Sequence, residues 1–391
     1  MGLTAADAFH RAFPGKTVLV TGHTGFKGAW LSLWLAELKA NVVGLSLAPE
    51  GRPNLYEQLG LGSLVESRIG DVRDAAFVQK TISETKPQIV FHLAAQSLVR
   101  RSYRDPAGTF ETNVLGTANI LEAVRRNGRV RVCQIVTSDK CYLNDGTSRA
   151  FKETDPLGGR DPYSASKACA EHVTAAYRES FPKAGTLPLS ISSARAGNVI
   201  GGGDWAEDRI LPDCIRALSQ GRPVEVRNPK AVRPWQHVLE PLSGYLWLAA
   251  RQLESPAEFA EAWNFGPPLD RTHSVRELVE RTIRLWDGGT WIPSNAQDAP
   301  HEAPTLQLNS TKAGKRLGWN PVYDFEEALL ESVKWYKSCG EKAGADVSDF
   351  SICQIRDYCA RAASMRLPWT RDEAARPSRM ACAPASKPGQ L

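Results

Sequence analysis

The feature of this sequence that most constrains its fold is an alternation of short apolar runs with helix-spaced patterns. Apolar runs rich in β-branched residues occupy Thr17–Thr21, Asn41–Leu45 and Gln88–Leu93, with a fourth at Val130–Thr137. After the first run, large apolar residues recur every three or four positions, which predicts a helix. The runs themselves predict buried parallel strands. We therefore expect an α/β fold built on a doubly wound parallel sheet.

The alternation breaks near residue 201, and this break predicts how the domains are arranged. Residues 1–196 are expected to form the sheet domain, to which a segment near 230–268 returns through a strand at Ala262–Gly266. Residues 197–360 are expected to form mainly a smaller C-terminal lobe that is discontinuous in sequence. Residues 365–391 are rich in Ala, Pro, Ser and Arg without periodicity, which predicts a disordered tail.

Composition excludes several classes of protein. A hydrophobic content of 42% and a charged content of 23% are typical of a globular chain. The net charge is +5, but the basic residues are scattered, so we expect no nucleic-acid partner. No run of 18 apolar residues and no signal-peptide pattern occurs, which predicts a cytoplasmic protein without a membrane partner. The eight cysteines form no C-x-x-C pair, so we expect reduced thiols and no metal site.

A glycine-rich turn follows the first predicted strand directly and opens a helix. The stretch TGHTGFKG places Gly22, Gly25 and Gly28 three residues apart. Glycines let the backbone approach a diphosphate, and a helix N-terminus offers free N–H groups to it. This position therefore predicts a dinucleotide site, with a tight structural turn as the alternative. Strand 2 ends at Ser46 without the usual acid for the ribose, so this feature leaves NAD and NADP both open.

Two further groups of residues point to catalysis. Tyr163 and Lys167 are four residues apart, which places them on one face of a predicted helix. An ammonium near a phenol favours the phenolate and lowers the pKa of the phenol, so this pair predicts a base; a surface pair is the alternative. Ser138, Asp139 and Lys140 follow the fourth apolar run, at the sheet edge where doubly wound folds place reacting groups.

Several stretches resemble one family, the CDP-glucose 4,6-dehydratases of the extended short-chain dehydrogenase/reductases, which carry a Rossmann domain. The G-x-x-G-x-x-G spacing is typical of that superfamily. The stretches TSDKCY from Thr137, RAGNVIGGGDW from Arg195 and RPWQHV from Arg233 resemble the family itself. Related dehydratases usually carry Thr-Asp-Glu where this chain has Ser138, Asp139 and Lys140, so lysine stands in place of glutamate.

The resemblance implies a set of cofactor-binding and substrate-binding residues. Besides Tyr163 and Lys167, the residues implied to contact NAD are Gly22, Thr24, Gly25, Phe26, Gly28, Asp71, Val72, Ala94 and Ala95. For Asp71, a helix N-cap is the alternative. The residues implied to line the sugar-nucleotide pocket are Gln96, Asn198, Arg209, Arg233 and Asn264. The arginines are expected on the diphosphate, whose oxygens suit a planar guanidinium.

The reaction that the resemblance implies is the conversion of CDP-glucose into CDP-4-keto-6-deoxyglucose, a step in deoxysugar and cell-surface O-antigen biosynthesis. NAD would be reduced and regenerated within one turnover. Tyr163 would remove the 4-hydroxyl proton, Lys140 would remove the C5 proton, and Asp139 would protonate the departing 6-hydroxyl.

Other interpretations stay open at this point. A different nucleotide-sugar dehydratase, an epimerase or a reductase would use the same scaffold, and a silent NAD-binding regulator is a further alternative. Members of the resembled family commonly form homodimers or homotetramers. The helices predicted at Pro106–Arg126 and Pro162–Phe181 would be their contact surface.

Overall fold

The computed structural model describes residues 8–144, 146, 149–184, 187–269, 272–294, 306–340, 342 and 344–371. Its strands are, in chain order, β1 (Thr17–Thr21), β2 (Asn41–Ser46), β3 (Glu66–Ile69), β4 (Ile89–His92), β5 (Val132–Val136), β6 (Lys183–Ala184), β7 (Leu187–Pro188), β8 (Ser190–Arg195), β9 (Val199–Ile200), β10 (Val224–Val226), β11 (Val232–Arg233), β12 (Gln236–His237), β13 (Ala262–Asn264), β14 (His273–Ser274) and β15 (Trp291–Pro293).

The α-helices are α1 (Phe26–Glu37), α2 (Leu55–Gln58), α3 (Leu61–Leu64), α4 (Ala75–Thr85), α5 (Val99–Arg104), α6 (Pro106–Phe110), α7 (Gly116–Asn127), α8 (Pro162–Ser180), α9 (Ile210–Ser219), α10 (Leu239–Glu254), α11 (Val275–Trp286), α12 (Phe325–Cys339) and α13 (Ala345–Ser364). Short 3-10 turns lie at Phe9–Arg11, Asp139–Cys141 and Pro368–Thr370. The predicted helix from Pro106 is interrupted by a π-helical segment at Glu111–Leu115. A second π-helical segment lies at Ala313–Leu317.

Seven of these strands form one parallel sheet, in the order β13-β8-β5-β4-β1-β2-β3. The chain moves outward from β1 through β2 to β3, then crosses back to β4 on the other side of β1. The α/β prediction with a doubly wound parallel sheet is confirmed. Because the strand order reverses between β1 and β4, a crevice opens there at the carboxyl ends of the strands.

Alternation along β1 explains why helices cover both faces of the sheet. Val18 and Val20 point to one face and join a core with α1, α10, α12 and α13. Leu19 points to the other face and packs with α4 and α7. All three side chains are fully buried. Because both faces of the strand are covered, its sequence is a continuous apolar run and does not alternate with polar residues.

A smaller set of elements lies outside the central sheet. Strand β10 pairs with β15, and β11 pairs with β14, while α9 and α11 pack against each other. Between β11 and β14 the chain returns to the central sheet, where β13 pairs with β8 as the edge strand. The division into domains at residues 196 and 360 stays a prediction. None of the helices that the structure describes combines the length and the apolar character needed to cross a membrane.

The segment after α13 differs from the sequence prediction of disorder from residue 365 onward. Trp369 is fully buried and its ring stacks on Phe9, with ring centroids 4.8 Å apart. Tyr358 of α13 stacks on the other side at 6.1 Å. The prediction is therefore corrected for residues 365–371, because one tryptophan supplies enough apolar surface to anchor a short segment without helical periodicity. Residues 372–391 lie outside the described part of the chain.

We predict that Trp369→Ala lowers the free energy of unfolding by about 3–5 kcal/mol, because it leaves a large cavity between Phe9 and Tyr358. Urea unfolding followed by tryptophan fluorescence and circular dichroism measures this loss. The matched control is Met365→Ala, whose side chain is 45% exposed and whose effect should stay within about 0.5 kcal/mol. Equal effects of the two substitutions would show that Trp369 does not anchor the segment.

Candidate active site

The turn between β1 and α1 packs directly against the backbone that follows β4. Gly22 has a φ of 76°, and a Cβ placed there would lie 2.8 Å from the backbone nitrogen of Ala94. A Cβ on Gly28 would lie 2.0 Å from the carbonyl oxygen of Gly22. Both positions therefore require glycine. Gly22 has a positive φ and no space for a Cβ, whereas Gly28 lacks only the space. These glycines bring the first turn of α1 directly to the crevice of the sheet.

The start of α1 is left open to a ligand. Its N-cap is Gly25, and no side chain caps the first-turn N–H groups. Free N–H groups at a helix N-terminus attract a diphosphate. The hydroxyl of Thr24 is engaged within the protein, since it lies 2.8 Å from the hydroxyl of Ser46 and donates to the carbonyl of Leu47. The glycine cradle and the uncapped helix fit the diphosphate of a dinucleotide.

A cavity of about 2020 Å³ extends from this turn along the carboxyl ends of the strands to α9 and β11, which lie outside the central sheet. It gathers nearly all of the residues predicted from the sequence. Those that line it are Gly22, Thr24, Gly25, Phe26, Gly28, Asp71, Val72, Ala94, Ala95, Gln96, Ser138, Asp139, Lys140, Tyr163, Lys167, Asn198, Arg209 and Arg233. Its volume suits two nucleotide-sized ligands.

Tyr163 lies at the start of α8, where Asp161 caps the helix by accepting a hydrogen bond from the backbone of Ser164 at 2.9 Å. The phenol is buried and hydrogen-bonded by Ser138. Burial raises the pKa of Tyr163 to about 12, while Ser138 and the guanidinium of Arg209 oppose this rise. The sequence prediction that the pKa of Tyr163 is lowered is therefore wrong for the protein alone, because loss of solvation outweighs the favourable contacts.

Lys167 follows one turn later on the same helix and is also buried. Its ammonium donates to the carbonyl of Val136 at 3.4 Å. Burial lowers the pKa of Lys167 to about 8, and the carboxylate of Glu171 opposes that decrease. Lys167 thus holds a readily lost proton next to the end of β5.

Asp139 is fixed from three directions. The hydroxyl of Ser138 donates to one carboxylate oxygen at 2.9 Å, and the amide of Asn198 donates to the other at 3.3 Å. Gly197 packs directly on the carboxylate, since a Cβ there would lie 1.9 Å from its Oδ2 atom. Lys140 follows on the same 3-10 turn and lines the cavity. The turn therefore presents a carboxylate and an amine to the space beside Tyr163.

Two charged residues of the cavity, Lys27 and Asp204, were not singled out by the sequence analysis. Lys27 lies in the glycine turn itself, and burial lowers its pKa to about 8, with Arg209 and Lys167 adding to the decrease. Asp204 is 3% exposed and accepts from Arg209 at 2.7 Å. A lysine inside a glycine turn is a signal visible in the sequence. The proximity of Asp204 to Arg209 is not visible as a site, because both belong to an irregular loop.

Asn264 does not line the cavity, contrary to the prediction. Its side chain is fully buried, accepts from the hydroxyl of Tyr142 at 2.7 Å and donates to the carbonyl of Phe151 at 2.9 Å. Asn264 thus connects β13 to the segments that carry Tyr142 and Phe151, and its side chain does not face the cavity. The family resemblance implied a ligand contact for Asn264, but its strand, β13, is the sheet edge farthest from the cofactor turn.

Two other predicted residues, Asp71 and Gln96, line the cavity, and their side chains are hydrogen-bonded within the protein. Asp71 accepts from the backbone and the guanidinium of Arg73, which holds its pKa below the usual range. The N-cap of the next helix is Asp74, so the N-cap alternative for Asp71 is wrong. The amide of Gln96 donates to Thr109 at 3.0 Å and accepts from the backbone of Leu98.

We predict that Gly28→Ala weakens NAD⁺ binding roughly 5- to 150-fold, corresponding to about 1–3 kcal/mol of overpacking, because the methyl group would collide with the carbonyl of Gly22. Calorimetric titration with NAD⁺ measures the effect. The matched control is Gly314→Ala, where the nearest atom lies 3.7 Å away and affinity should be unchanged. Unaltered affinity in folded Gly28→Ala protein would contradict the proposed cradle.

Comparisons with known proteins show the family to which the chain belongs. The family model described as GDP-mannose 4,6 dehydratase matches residues 19–332. The chain is 47% identical over 348 residues to a CDP-glucose 4,6-dehydratase of Salmonella typhimurium, covering 88% of this chain and 96% of that protein. It is 29% identical to a dTDP-glucose 4,6-dehydratase of Xanthomonas campestris pv. campestris, covering 82% and 93%.

Solved structures extend the similarity to the fold. A UDP-glucose 4-epimerase of Thermus thermophilus, in complex with NAD, is 27% identical with a TM-score of 0.69, covering 82% of this chain and 99% of that one. A dTDP-glucose 4,6-dehydratase of Bacillus anthracis, in complex with NAD, is 23% identical with a TM-score of 0.69 and shares the fold, covering 84% and 98%. The chain therefore belongs to the 4,6-dehydratase family that the GDP-mannose 4,6 dehydratase model describes, within the extended short-chain dehydrogenase/reductases.

Proposed function

We propose that this protein is a CDP-glucose 4,6-dehydratase, which converts CDP-glucose into CDP-4-keto-6-deoxyglucose and uses NAD as a resident cofactor. The observation that carries the proposal is the position of Asp139 and Lys140 beside Tyr163 in one cavity. A simple reductase or a 4-epimerase needs the tyrosine but has no elimination step that would require an acid and a base beside it. The 47% identity to a CDP-glucose 4,6-dehydratase supports the same substrate.

The cofactor site fits the proposal through the uncapped start of α1 and the glycine cradle. When bound, NAD⁺ supplies a ring that accepts a hydride from sugar C4 and returns one to C6. Tyr163 takes the proton of the 4-hydroxyl as a phenolate, so it first releases its own proton to water. Its pKa of about 12 means that the phenol carries its proton at neutral pH in the protein alone. Positive charge from Arg209 favours the ionised form as the proton is exchanged.

The elimination is assigned to the turn that follows β5. A ketone at C4 acidifies the proton on C5, and the amine of Lys140 removes it. The carboxyl of Asp139 delivers a proton to the departing 6-hydroxyl, so one water leaves for each sugar converted. Hydrogen bonds from Ser138 and Asn198 fix the direction of this carboxyl group, which positions it for proton transfer.

The substrate diphosphate is assigned to the arginines of the smaller lobe. Arg209 is held by Asp204 at 2.7 Å and by the hydroxyl of Ser97 at 3.2 Å. Arg233 lines the same cavity and donates to the carbonyl of Val232. Guanidinium groups pair with phosphate oxygens in a fixed planar geometry. The sugar would then lie between these arginines and Tyr163.

The setting of the enzyme is part of the proposal. We infer a cytoplasmic homodimer or homotetramer. Free thiols at Cys133, Cys141, Cys169, Cys214, Cys339, Cys353 and Cys359 support a reducing compartment. Two exposed apolar side chains support a subunit contact near the junction of α6 and α7: Phe110 at the end of α6, at 37%, and Leu115 in the π-helical segment before α7, at 57%.

The proposed activity predicts turnover of CDP-glucose when NAD⁺ is added. The measurement is the alkaline absorbance of the 4-keto product, after incubation with CDP-glucose, dTDP-glucose, UDP-glucose and GDP-mannose in parallel. We expect product from CDP-glucose and little from the others. Product from a different nucleotide sugar would change the substrate while keeping the reaction. An epimer or a reduced sugar without 4-keto product would overturn the dehydratase assignment.

We predict that Lys140→Met keeps slow reduction of NAD⁺ by CDP-glucose and loses exchange of the C5 proton with solvent deuterium. Removing the amine abolishes the elimination while leaving Tyr163 in place, and general-base removal costs about 10²–10⁴-fold in rate. Stopped-flow absorbance and mass spectrometry follow the two steps separately. Lys80→Met, at a side chain that is 70% exposed, is the control and should retain both. Full turnover by Lys140→Met would contradict the assigned role.

A further inference from the structure

Glu171 is a buried carboxylate on α8 that the proposed chemistry does not use. It lies one helical turn after Lys167 and two turns after Tyr163, so all three share one face of the helix. The side chain is 3% exposed. A buried carboxylate is costly unless it is paired and hydrogen-bonded, so the contacts that it makes indicate what it does.

The carboxylate of Glu171 joins α8 to the strand that carries the catalytic turn. One oxygen accepts from the hydroxyl of Thr137, the residue directly before Ser138. The same carboxylate accepts from the hydroxyl of Ser193 at 2.6 Å, and from the Nε and Nη2 atoms of Arg195 at 2.9 and 2.7 Å. Four donors on one carboxylate fix its position closely.

Arg195 continues the connection to the far end of the same turn. It donates from Nη1 to the hydroxyl of Tyr142 at 2.7 Å, and its guanidinium lies over the Tyr142 ring. The turn that carries Asp139 and Lys140 is thus held before its first residue by Thr137 and after its last by Tyr142. Both anchors lead to Glu171, so a single carboxylate sets the register between this turn and the helix that carries Tyr163.

Glu171 also contributes the main negative charge acting on Lys167. The groups that face Lys167 are Glu171 on its own helix, Cys141 in the turn, His92 at the end of β4 and Lys27 at the start of α1. Burial keeps the Cys141 thiol and the His92 imidazole neutral, since it raises the pKa of the first and lowers that of the second to about 3. Lys27 is a cation and opposes the charge on Lys167. Among these groups, Glu171 is therefore the charged one that opposes the effect of burial on the pKa of Lys167.

We propose that Glu171 is a positioning residue for the dehydration, which holds the Asp139–Lys140 turn against α8 and keeps the ammonium of Lys167 charged. The effect of Glu171 on dehydration depends on the proposed function. Its electrostatic part concerns Lys167 itself and is measurable without substrate. Arg195 serves as the counterion of Glu171.

The sign of the electrostatic effect follows from the charges. Lys167 carries its proton below a pKa of about 8. Without the carboxylate at residue 171, the ammonium loses a stabilising neighbour and releases its proton at lower pH. The alkaline limb of the activity profile, where Lys167 becomes neutral, therefore moves down by about one pH unit.

The test uses a variant that removes the charge without leaving Arg195 unpaired in the core. Glu171→Gln combined with Arg195→Gln replaces the ion pair by two amides and leaves the net charge of the pair unchanged. Glu171→Asp keeps the negative charge. Tyr142→Phe removes a hydroxyl from the same network and keeps Glu171, so it controls for general damage. Thermal unfolding and circular dichroism establish that each variant is folded.

The titration of Lys167 is followed by NMR in protein carrying lysine labelled with ¹³C at Cε, with its signal assigned by Lys167→Arg. The pH profile of kcat/KM for CDP-glucose is measured alongside. We expect the midpoint of Lys167 and the alkaline limb to fall together in the double variant, and both to stay at the parent values in Glu171→Asp and Tyr142→Phe. We also expect kcat to fall 10- to 100-fold in the double variant, with KM nearly unchanged.

An unshifted Lys167 midpoint in the folded double variant would overturn the proposal. An equal shift in Tyr142→Phe would overturn it too, because the effect would then belong to the network as a whole. Failure of the parent protein to convert CDP-glucose would reject the proposed function and leave the NMR titration to decide the role of Glu171. If the double variant does not fold, Glu171→Gln alone takes its place: its Lys167 midpoint is expected to fall, and an unshifted midpoint would overturn the proposal.

Discussion

The contact between the β1–α1 turn and the end of β4 is the constraint on which the site depends. The hydroxyl of Thr21 accepts from the backbone N–H groups of Leu93 and Ala94, both at 3.1 Å, and Gly22 lies against the same backbone. This close approach leaves no space for a side chain. It places the uncapped start of α1 beside the crevice where the strand order reverses. The cofactor turn and the catalytic edge of the sheet therefore open into one cavity.

The charged groups of that cavity shift one another's pKa values. Lys167 is buried and Lys27 is partly buried, and the pKa of each is lowered to about 8. Arg209 stays charged because Asp204 lies against it. Buried cations lacking full compensation favour an anionic ligand such as a diphosphate. The same lack of solvation raises the pKa of Tyr163, so positive charge and burial act on the tyrosine in opposite directions.

Strong local patterns were predicted well from the sequence, and buried polar elements were not. The strand Thr17–Thr21 was predicted with the bounds that the structure has. The central strand Ser190–Arg195 was not predicted, because four of its six residues are polar. All six are nevertheless buried, and partners elsewhere in the chain satisfy the polar ones: the hydroxyl of Ser190 donates to the carbonyl of Pro256 at 2.7 Å. No local pattern reveals such partners in advance.

The sequence by itself determined the alternating sheet, the glycine turn, and the spacing of Tyr163 and Lys167, because each depends on neighbours within a few residues. The tertiary structure decided which distant groups face one another. It turned Asn264 away from the cavity to bind Tyr142, and it brought Thr137 and Arg195 onto Glu171. It also reversed the expected direction of the pKa of Tyr163. Burial and long-range pairing cause these differences, since both depend on the folded arrangement of residues far apart in the chain.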